Sequence, residues 1–404
     1  MEMHDLANDV PAVQSLERPL RICDMVQAYA DGSGGVKTYL DQKRRFLMEE
    51  TECEHVLIIP GESDRCLREG RAITYEVESP VVRGAGAYRF IGRVDKLLRI
   101  LGDEALDVVE VGDPWLMPWV ARYHRLRRKT PMVGFYHTDI ARAYGRPYAT
   151  RVLGSGVGRA AESLMDHYAR AVYSACDAVV TASPDISLRL SRWPIPWLEE
   201  IPLGVDLERF HPARRDRALW ASLGVDARAL VLLYVGRLDG EKRCLELVEA
   251  FASARLDRPA ALVMVGAGPL RQAILERGNP RVHVLDYVGD RDRLAQLFAS
   301  SDLYVTAGPH ETFALSVVEA QASGLGVVGV AAGALRDRVP LGAGLLAEPE
   351  SIGSLARALE EALRRDLLAM GRAGRAAVEA RYSWRSTGER LLRLYRGLAS
   401  RNAA

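Results

Sequence analysis

The stretch Ala307–Val330, AGPHETFALSVVEAQASGLGVVGV, decides the reading of this chain. It follows an apolar strand-like run, SDLYVTA, and contains two carboxylates, Glu311 and Glu319, separated by seven residues. Between them loop gives way to helix. Ser316-Val317-Val318-Glu319 fits a capping box, with Ser at the N-cap and Glu three residues on. Ala320-Gln321-Ala322 continue the helix and Ser323-Gly324 end it. A second strand, GVVGV (326–330), follows. The pattern places Glu311 in a loop ahead of a helix N-terminus and Glu319 in the first helical turn. Free backbone N–H groups and the positive end of the helix dipole lie between them. Such a site suits an anionic group, with carboxylates placed to accept hydrogen bonds from hydroxyls. A phosphate bearing a sugar at each end has that chemistry. Alone, Glu319 reads equally as a capping residue and Glu311 as a solvated loop charge. The strand–loop–helix–Gly–strand setting is what favours a site.

The rest of the chain is consistent with a large α/β protein. Its 404 residues suit about two domains, and 48% apolar content supports sizeable cores. The net charge of +1 implies no long-range field for nucleic acid. No apolar run reaches the roughly 18 residues of a membrane-spanning helix. The start, MEMHDLANDVPAVQ, lacks a signal-peptide core and reads as a loose tail. Five scattered cysteines without a C-x-x-C favour reduced thiols in a cytoplasmic protein, not a disulfide frame or a zinc site.

Strand and helix patterns alternate from the first half onward. RICDMV (21–26) runs into a Gly-rich loop holding Gly34 and Gly35, then into a helix start. Such a loop lets backbone approach a phosphate, and equally makes a plain tight turn. Further strands read at 55–60, 72–77, 107–111, 131–139 and 177–182, with a helix over Phe90–Leu101. His137 falls at the C-terminal end of one of them, where open α/β sheets bind ligands. The segment 141–159 is rich in Arg, Tyr and Gly. Its Arg142, Arg146, Arg151 and Arg159 suit an anionic acceptor or membrane headgroups, or simply a solvated surface. The second half restarts the alternation with ALVLLYVGRLDGEKR (229–243). Arg237 and Lys242 flank a turn at a strand end, where two cations can neutralise a diphosphate without a metal, although alone they read more readily as solvated loop charges. Gly266-x-Gly268 is a poor dinucleotide fingerprint, because Pro269 follows and no third Gly stands at the required offset.

Glu311-x7-Glu319, Gly236-Arg237 with Lys242, Gly204-Val205-Asp206 and Phe210-His211-Pro212 together resemble the retaining glycosyltransferases of family 4, nearest in look to bacterial mannosyl- and glucosyltransferases. The resemblance implies the GT-B fold: two facing Rossmann-like domains, an interdomain cleft and a C-terminal helix crossing back. Residues 1–18 would be the tail, 19–212 the acceptor domain, 213–385 the nucleotide-sugar domain and 386–404 the returning helix. It implies that Glu311 contacts the transferred sugar, Glu319 the ribose, and Arg237 and Lys242 the diphosphate. Gly34, Gly35, Thr312, Phe313, Ala314 and Leu315 would line the donor, and His137 would assist from across the cleft. The implied reaction moves a hexose from a GDP- or UDP-linked donor to a glycan, lipid or small-molecule acceptor. Neither cofactor nor metal is expected. The expected location is the cytoplasm, with peripheral contact at the inner membrane face as a further expectation. Three departures stand out: Thr312-Phe313-Ala314 replaces a Gly-Phe-Gly turn, Gly326 replaces a Pro, and Leu203 replaces an Asn-like residue. A nucleotide-sugar epimerase on the same fold and a catalytically degenerate binding module are the alternatives. A phosphorylase-like enzyme would need a lysine holding pyridoxal phosphate, and no segment looks like that site.

Overall fold

The computed structural model describes residues 18–27, 29, 34–82, 88–142 and 155–403. The first half builds an eight-stranded sheet from β1 (Arg21–Met25), β2 (Glu54–Gly61), β3 (Arg65–Glu69), β4 (Ala72–Glu78), β5 (Val108–Val111), β6 (Met132–Phe135), β7 (Ala178–Thr181) and β8 (Leu198–Glu200). Its helices are α1 (Gly35–Glu50), α2 (Val94–Asp103), α3 (Met117–Arg128), α4 (Ser155–Tyr173) and α5 (Pro184–Leu190). The order across the sheet is β3-β4-β2-β1-β5-β6-β7-β8, parallel except for the β3–β4 pair.

The second half builds a parallel sheet from β9 (Leu230–Val235), β10 (Ala260–Val265), β11 (Val282–Leu285), β12 (Leu303–Val305), β13 (Gly326–Val330) and β14 (Gly344–Ala347). It is ordered β11-β10-β9-β12-β13-β14. Short helix α6 (Ala218–Ser222) precedes it, and α7 (Cys244–Ser253), α8 (Arg271–Glu276), α9 (Arg291–Ser300), α10 (Leu315–Ala322) and α11 (Leu335–Arg338) connect its strands. Helices α12 (Ile352–Arg364), α13 (Leu367–Arg381) and α14 (Trp384–Ala403) close the chain. Central strands such as AALVMV in β10 are buried throughout, as parallel strands covered on both faces must be. By contrast β3, RCLRE, is exposed at every position and carries no apolar signal; it is an edge strand.

Each sheet reverses its winding once. In the first the reversal lies between β1 and β5, in the second between β9 and β12. Parallel sheets open a crevice outside the strand C-termini at such switch points. The loops predicted to carry chemistry leave from these ends.

The chain then returns to its first half. Val205 N–H donates to the Tyr382 carbonyl at 3.1 Å, and Thr387 Oγ1 to the Pro202 carbonyl at 2.7 Å. Gly204 lies against this crossing, where a Cβ would stand 2.1 Å from Trp384 N. Helix α14 packs along α1 and delivers Tyr395 into a buried polar cluster. There Lys43 Nζ lies 2.7 Å from Asp24 and 3.1 Å from Glu110, His55 pairs with Asp24 at 2.6 Å, and the hydroxyls of Tyr39 and Tyr395 donate to Glu110. Every charge in the cluster has a partner, which is the condition for burying it.

Burial pushes Glu110 up to about 7 against the opposing pull of Lys43. The folded chain therefore keeps a proton that the unfolded chain releases near 4.5, and this group's contribution to stability falls as pH rises from about 4.5 to about 7. Glu110→Gln should remove that slope. In urea unfolding across the window, the wild type should lose stability relative to the variant; parallel curves would refute the assignment.

Candidate active site

The crevice at the β9–β12 switch point is built by two loops. Residues 236–243 leave β9, and 306–314 leave β12. They meet through an ion pair, Lys242 Nζ to Glu311 Oε1 at 2.7 Å. Arg237 pairs with Asp239 at 2.5 Å and with Glu241, which also lies 3.6 Å from Lys242. Both cations are thus surrounded by carboxylates. Burial works against the Lys242 ammonium, but Glu311 and Glu241 outweigh it and hold its pKa above the ordinary value. Glu241, opposed by its own burial, is held below the usual carboxylate range by Lys242 and Arg237.

Glycines of the next loop fix this one. A Cβ on Gly266 would stand 1.9 Å from the Gly236 carbonyl oxygen, and one on Gly268 would stand 2.3 Å from that of Leu238. Leu238 N–H donates to the Ala267 carbonyl at 2.9 Å, and Gly236 N–H to that of Val265 at 3.0 Å. Gly266-x-Gly268 therefore serves close backbone approach behind Arg237.

The capping box is not formed. Helix α10 starts at Leu315, two residues earlier than the pattern indicates, and its N-cap is Ala314 at φ 65°, ψ 55°. No side chain caps it. Ser316 instead accepts from Tyr304 Oη at 2.8 Å. The left-handed conformation explains the departure at this turn: the position suits glycine, and Ala314 occupies it at a cost of about 1–2 kcal/mol. The neighbouring Phe313 is buried, with the Arg338 guanidinium 4.4 Å from its ring centroid and Tyr382 against its edge. Gly326 also has a reason. A Cβ there would meet Met370 Cβ at 2.9 Å.

Glu319 lies in the second turn of α10, buried, and pairs with Arg291 at the start of α9. Burial pushes its carboxyl above the ordinary value, and Arg291 offsets this only in part. The Arg291 guanidinium also stands 4.9 Å from the Phe210 ring centroid. Arg291 and Glu241 are the groups that sequence reasoning missed. Their only local signal was a charge beside a strand end or at a helix start.

Across the cleft, β6 ends at Phe135, so His137 lies two residues beyond the strand. Its ring stacks on Phe135 at 4.0 Å and 5° and tilts against Tyr39. Although the residue keeps some exposed surface, this enclosure drops its pKa to about 3. Nε2 is sealed from water with no hydrogen-bond partner among the described residues. The ring borders the first switch point, where a Cβ on Gly112 would meet its Cδ2 at 3.4 Å. Thr312 Oγ1 donates to the His137 carbonyl at 2.6 Å and so joins the two loops across the cleft. Leu315 opens α10 and packs half-buried on the core. Gly34 and Gly35 stand exposed at the start of α1, with open space where a Cβ would be. Arg146 and Arg151 lie outside the described residues. Arg142 faces Asp139 at 3.8 Å. No group of three metal-ligating side chains occurs among the described residues.

Comparison with known proteins gives the family. Residues 229–365 match the family described as Glycosyl transferases group 1, and residues 33–209 match Glycosyltransferase Family 4. A GDP-mannose-dependent α-(1-6)-phosphatidylinositol dimannoside mannosyltransferase of Mycobacterium tuberculosis is 30% identical over 356 residues, 84% of this chain and 87% of the relative. Sucrose-phosphate synthase from Thermosynechococcus elongatus superposes with a TM-score of 0.74 at 21% identity, covering 93% of this chain and 98% of its own. Anabaena HepE in complex with UDP and glucose gives 0.70 at 16% identity, covering 93% and 99%. The chain belongs to glycosyltransferase family 4, and its two facing α/β domains are the GT-B fold.

Two consequences of the site geometry are measurable. Arg291→Met leaves Glu319 buried without its partner and should cost about 3 kcal/mol in urea unfolding; a loss below about 0.5 kcal/mol would show the pair to be incidental. His137 stays neutral in the folded chain down to about 3, while unfolded it takes a proton near 6.5. Its contribution is complete above about 6.5 and is lost as pH falls toward about 3. His137→Gln should flatten that acid limb of the stability profile.

Proposed function

We propose that this family 4 glycosyltransferase moves a hexose, with retention of anomeric configuration, from a nucleoside-diphosphate sugar to a glycan, lipid or small-molecule acceptor. The observation that carries the reading is the Lys242–Glu311 pair at the β9–β12 switch point, with Arg237 beside it and an uncapped helix N-terminus behind it. Arg237, Lys242 and the leading N–H groups of α10 take the negative charge that develops on the departing diphosphate. This assigns no role to a resident metal. Glu311 orients the sugar through its hydroxyls. Glu319 accepts from the ribose hydroxyls, exchanging or sharing its bond to Arg291. His137 borders the sugar from the first domain, and its Nε2, sealed here without a partner among the described residues, would meet a sugar hydroxyl once uncovered. As a neutral imidazole it positions by hydrogen bonding and brings no charge.

The names of several relatives favour GDP-mannose as donor, and that of the Mycobacterium tuberculosis relative favours a phosphatidylinositol mannoside as acceptor. No helix among the described residues is long and apolar enough to cross a membrane. We place the protein in the cytoplasm, in peripheral contact with the inner membrane face. A same-face substitution requires water to be kept out while donor and acceptor meet, and the Thr312–His137 bond across the cleft supports closure of that kind.

Titration calorimetry with GDP, UDP and ADP, with and without Mg²⁺, tests the site. One nucleotide should bind in the micromolar range, and Glu319→Ala should abolish it. In transfer assays Arg237→Ala and Lys242→Ala should each lower kcat by about 10²–10³. Near-normal turnover in both would overturn the assignment.

A further inference from the structure

One face of the first domain has no role in the site just described. The inner side of α3, with Met117, Val120, Ala121 and His124, is buried. Its outer side is exposed and carries Trp119, Tyr123 and Leu126 at helical spacing, with Trp115 just ahead of the helix. A surface helix ordinarily turns polar residues outward. Here Leu126 is 70% exposed, and Leu164 on neighbouring α4 is 72% exposed. The two helices form one surface, because Trp119 Nε1 donates to Tyr168 Oη at 3.0 Å and Tyr168 donates to the Pro114 carbonyl at 2.7 Å.

The charge that α3 brings to this face has one sign. Helix α3 holds four arginines and no carboxylate, and Lys129 follows. Arg125 is taken by Asp177, and Asp166 of α4 by Arg189. The Arg122 and Arg127 guanidinium groups lie 5.9 and 5.4 Å from the Trp119 and Tyr123 ring centroids, so each cation is backed by an aromatic ring. In a chain of net charge +1 this is a local concentration.

We infer that α3 and α4 form a docking surface for an anionic lipid bilayer. Amphipathic aromatic rings settle at headgroup depth, and arginines beside them meet acidic headgroups. A helix with this composition lies in the plane of the interface. A second copy of this chain is a poorer occupant, since a symmetric contact would set arginine against arginine. Trp115 lies close beyond the C-terminal end of β5, at the first switch point, so the docked bilayer would border the acceptor side of the cleft. That use of the surface rests on the transferase reading; the docking does not.

Flotation of the full chain with vesicles of phosphatidylcholine alone, or of phosphatidylcholine with phosphatidylglycerol, tests the surface. The protein should float with the anionic vesicles only, and added salt should release it. Arg122→Gln with Arg127→Gln should lower partitioning about tenfold or more, as should Trp119→Ser with Leu126→Ser. Nucleotide titration should stay unchanged in both. Absence of flotation, equal flotation with neutral vesicles, unaltered variants, or conversion of a dimer to a monomer by the apolar pair would each overturn the inference. Vesicle binding without any nucleotide binding would instead sink the transferase reading and leave the surface standing.

Discussion

One buried guanidinium joins the three parts of this molecule. Arg338 at the end of α11 donates to the carbonyl of Phe313 at 3.2 Å, to Tyr382 Oη at 2.9 Å and to the carbonyl of Ala182 at 2.6 Å. These belong to the turn before α10, the return of the C-terminal chain, and the end of β7 in the opposite domain. No carboxylate pairs with it among the described residues. Aromatic faces of Phe313 and Tyr382 take that place, at 4.4 and 4.7 Å. Burial accordingly lowers its pKa. A buried charge held only by dipoles and π-faces is tolerable where its hydrogen bonds are well made, and each bond here ends on a different structural unit. Moving any one unit would strip a donor of its acceptor.

That constraint accounts for the strained turn. Ala314 adopts a backbone conformation that favours glycine, and the residue before it is gripped from both sides. Strain of about 1–2 kcal/mol persists where the surroundings over-determine the conformation. The result is a helix N-terminus with no side chain over it, facing the loop of Arg237 and Lys242. A conventional Ser cap would have taken up one of those N–H groups internally.

Much of this was legible in the sequence because it is local. Strand-length apolar runs, helical periodicity and cations at strand ends are short-range patterns. Switch points then bring the loops of Lys242 and Glu311 together without further information. What failed was also physical. The capping box around Ser316 and Glu319 fits the rule, but Tyr304 claims the serine and Arg291 the glutamate, and neither is near in sequence. The strand expected through His137 stops at Phe135, and ring stacking with no sequence signature encloses the histidine. Arg338 sits in a short segment, LRDR, that looks like an ordinary solvated helix end.

The charges at the mouth of the cleft add a last step. Arg237 and Lys242 face Asp239, Glu241 and Glu311, so the ligand-free loop carries no unpaired buried cation. Under the proposed function an arriving diphosphate would meet cations already held in place, exchanging anionic partners and not creating an ion pair from solvated groups. Glu319 is held in the same way by Arg291, and under the proposed function ribose hydroxyls would share or replace that bond. Preorganisation in this protein therefore consists of cations held in position by carboxylates, on loops whose backbone is pinned by Gly266 and Gly268 from behind.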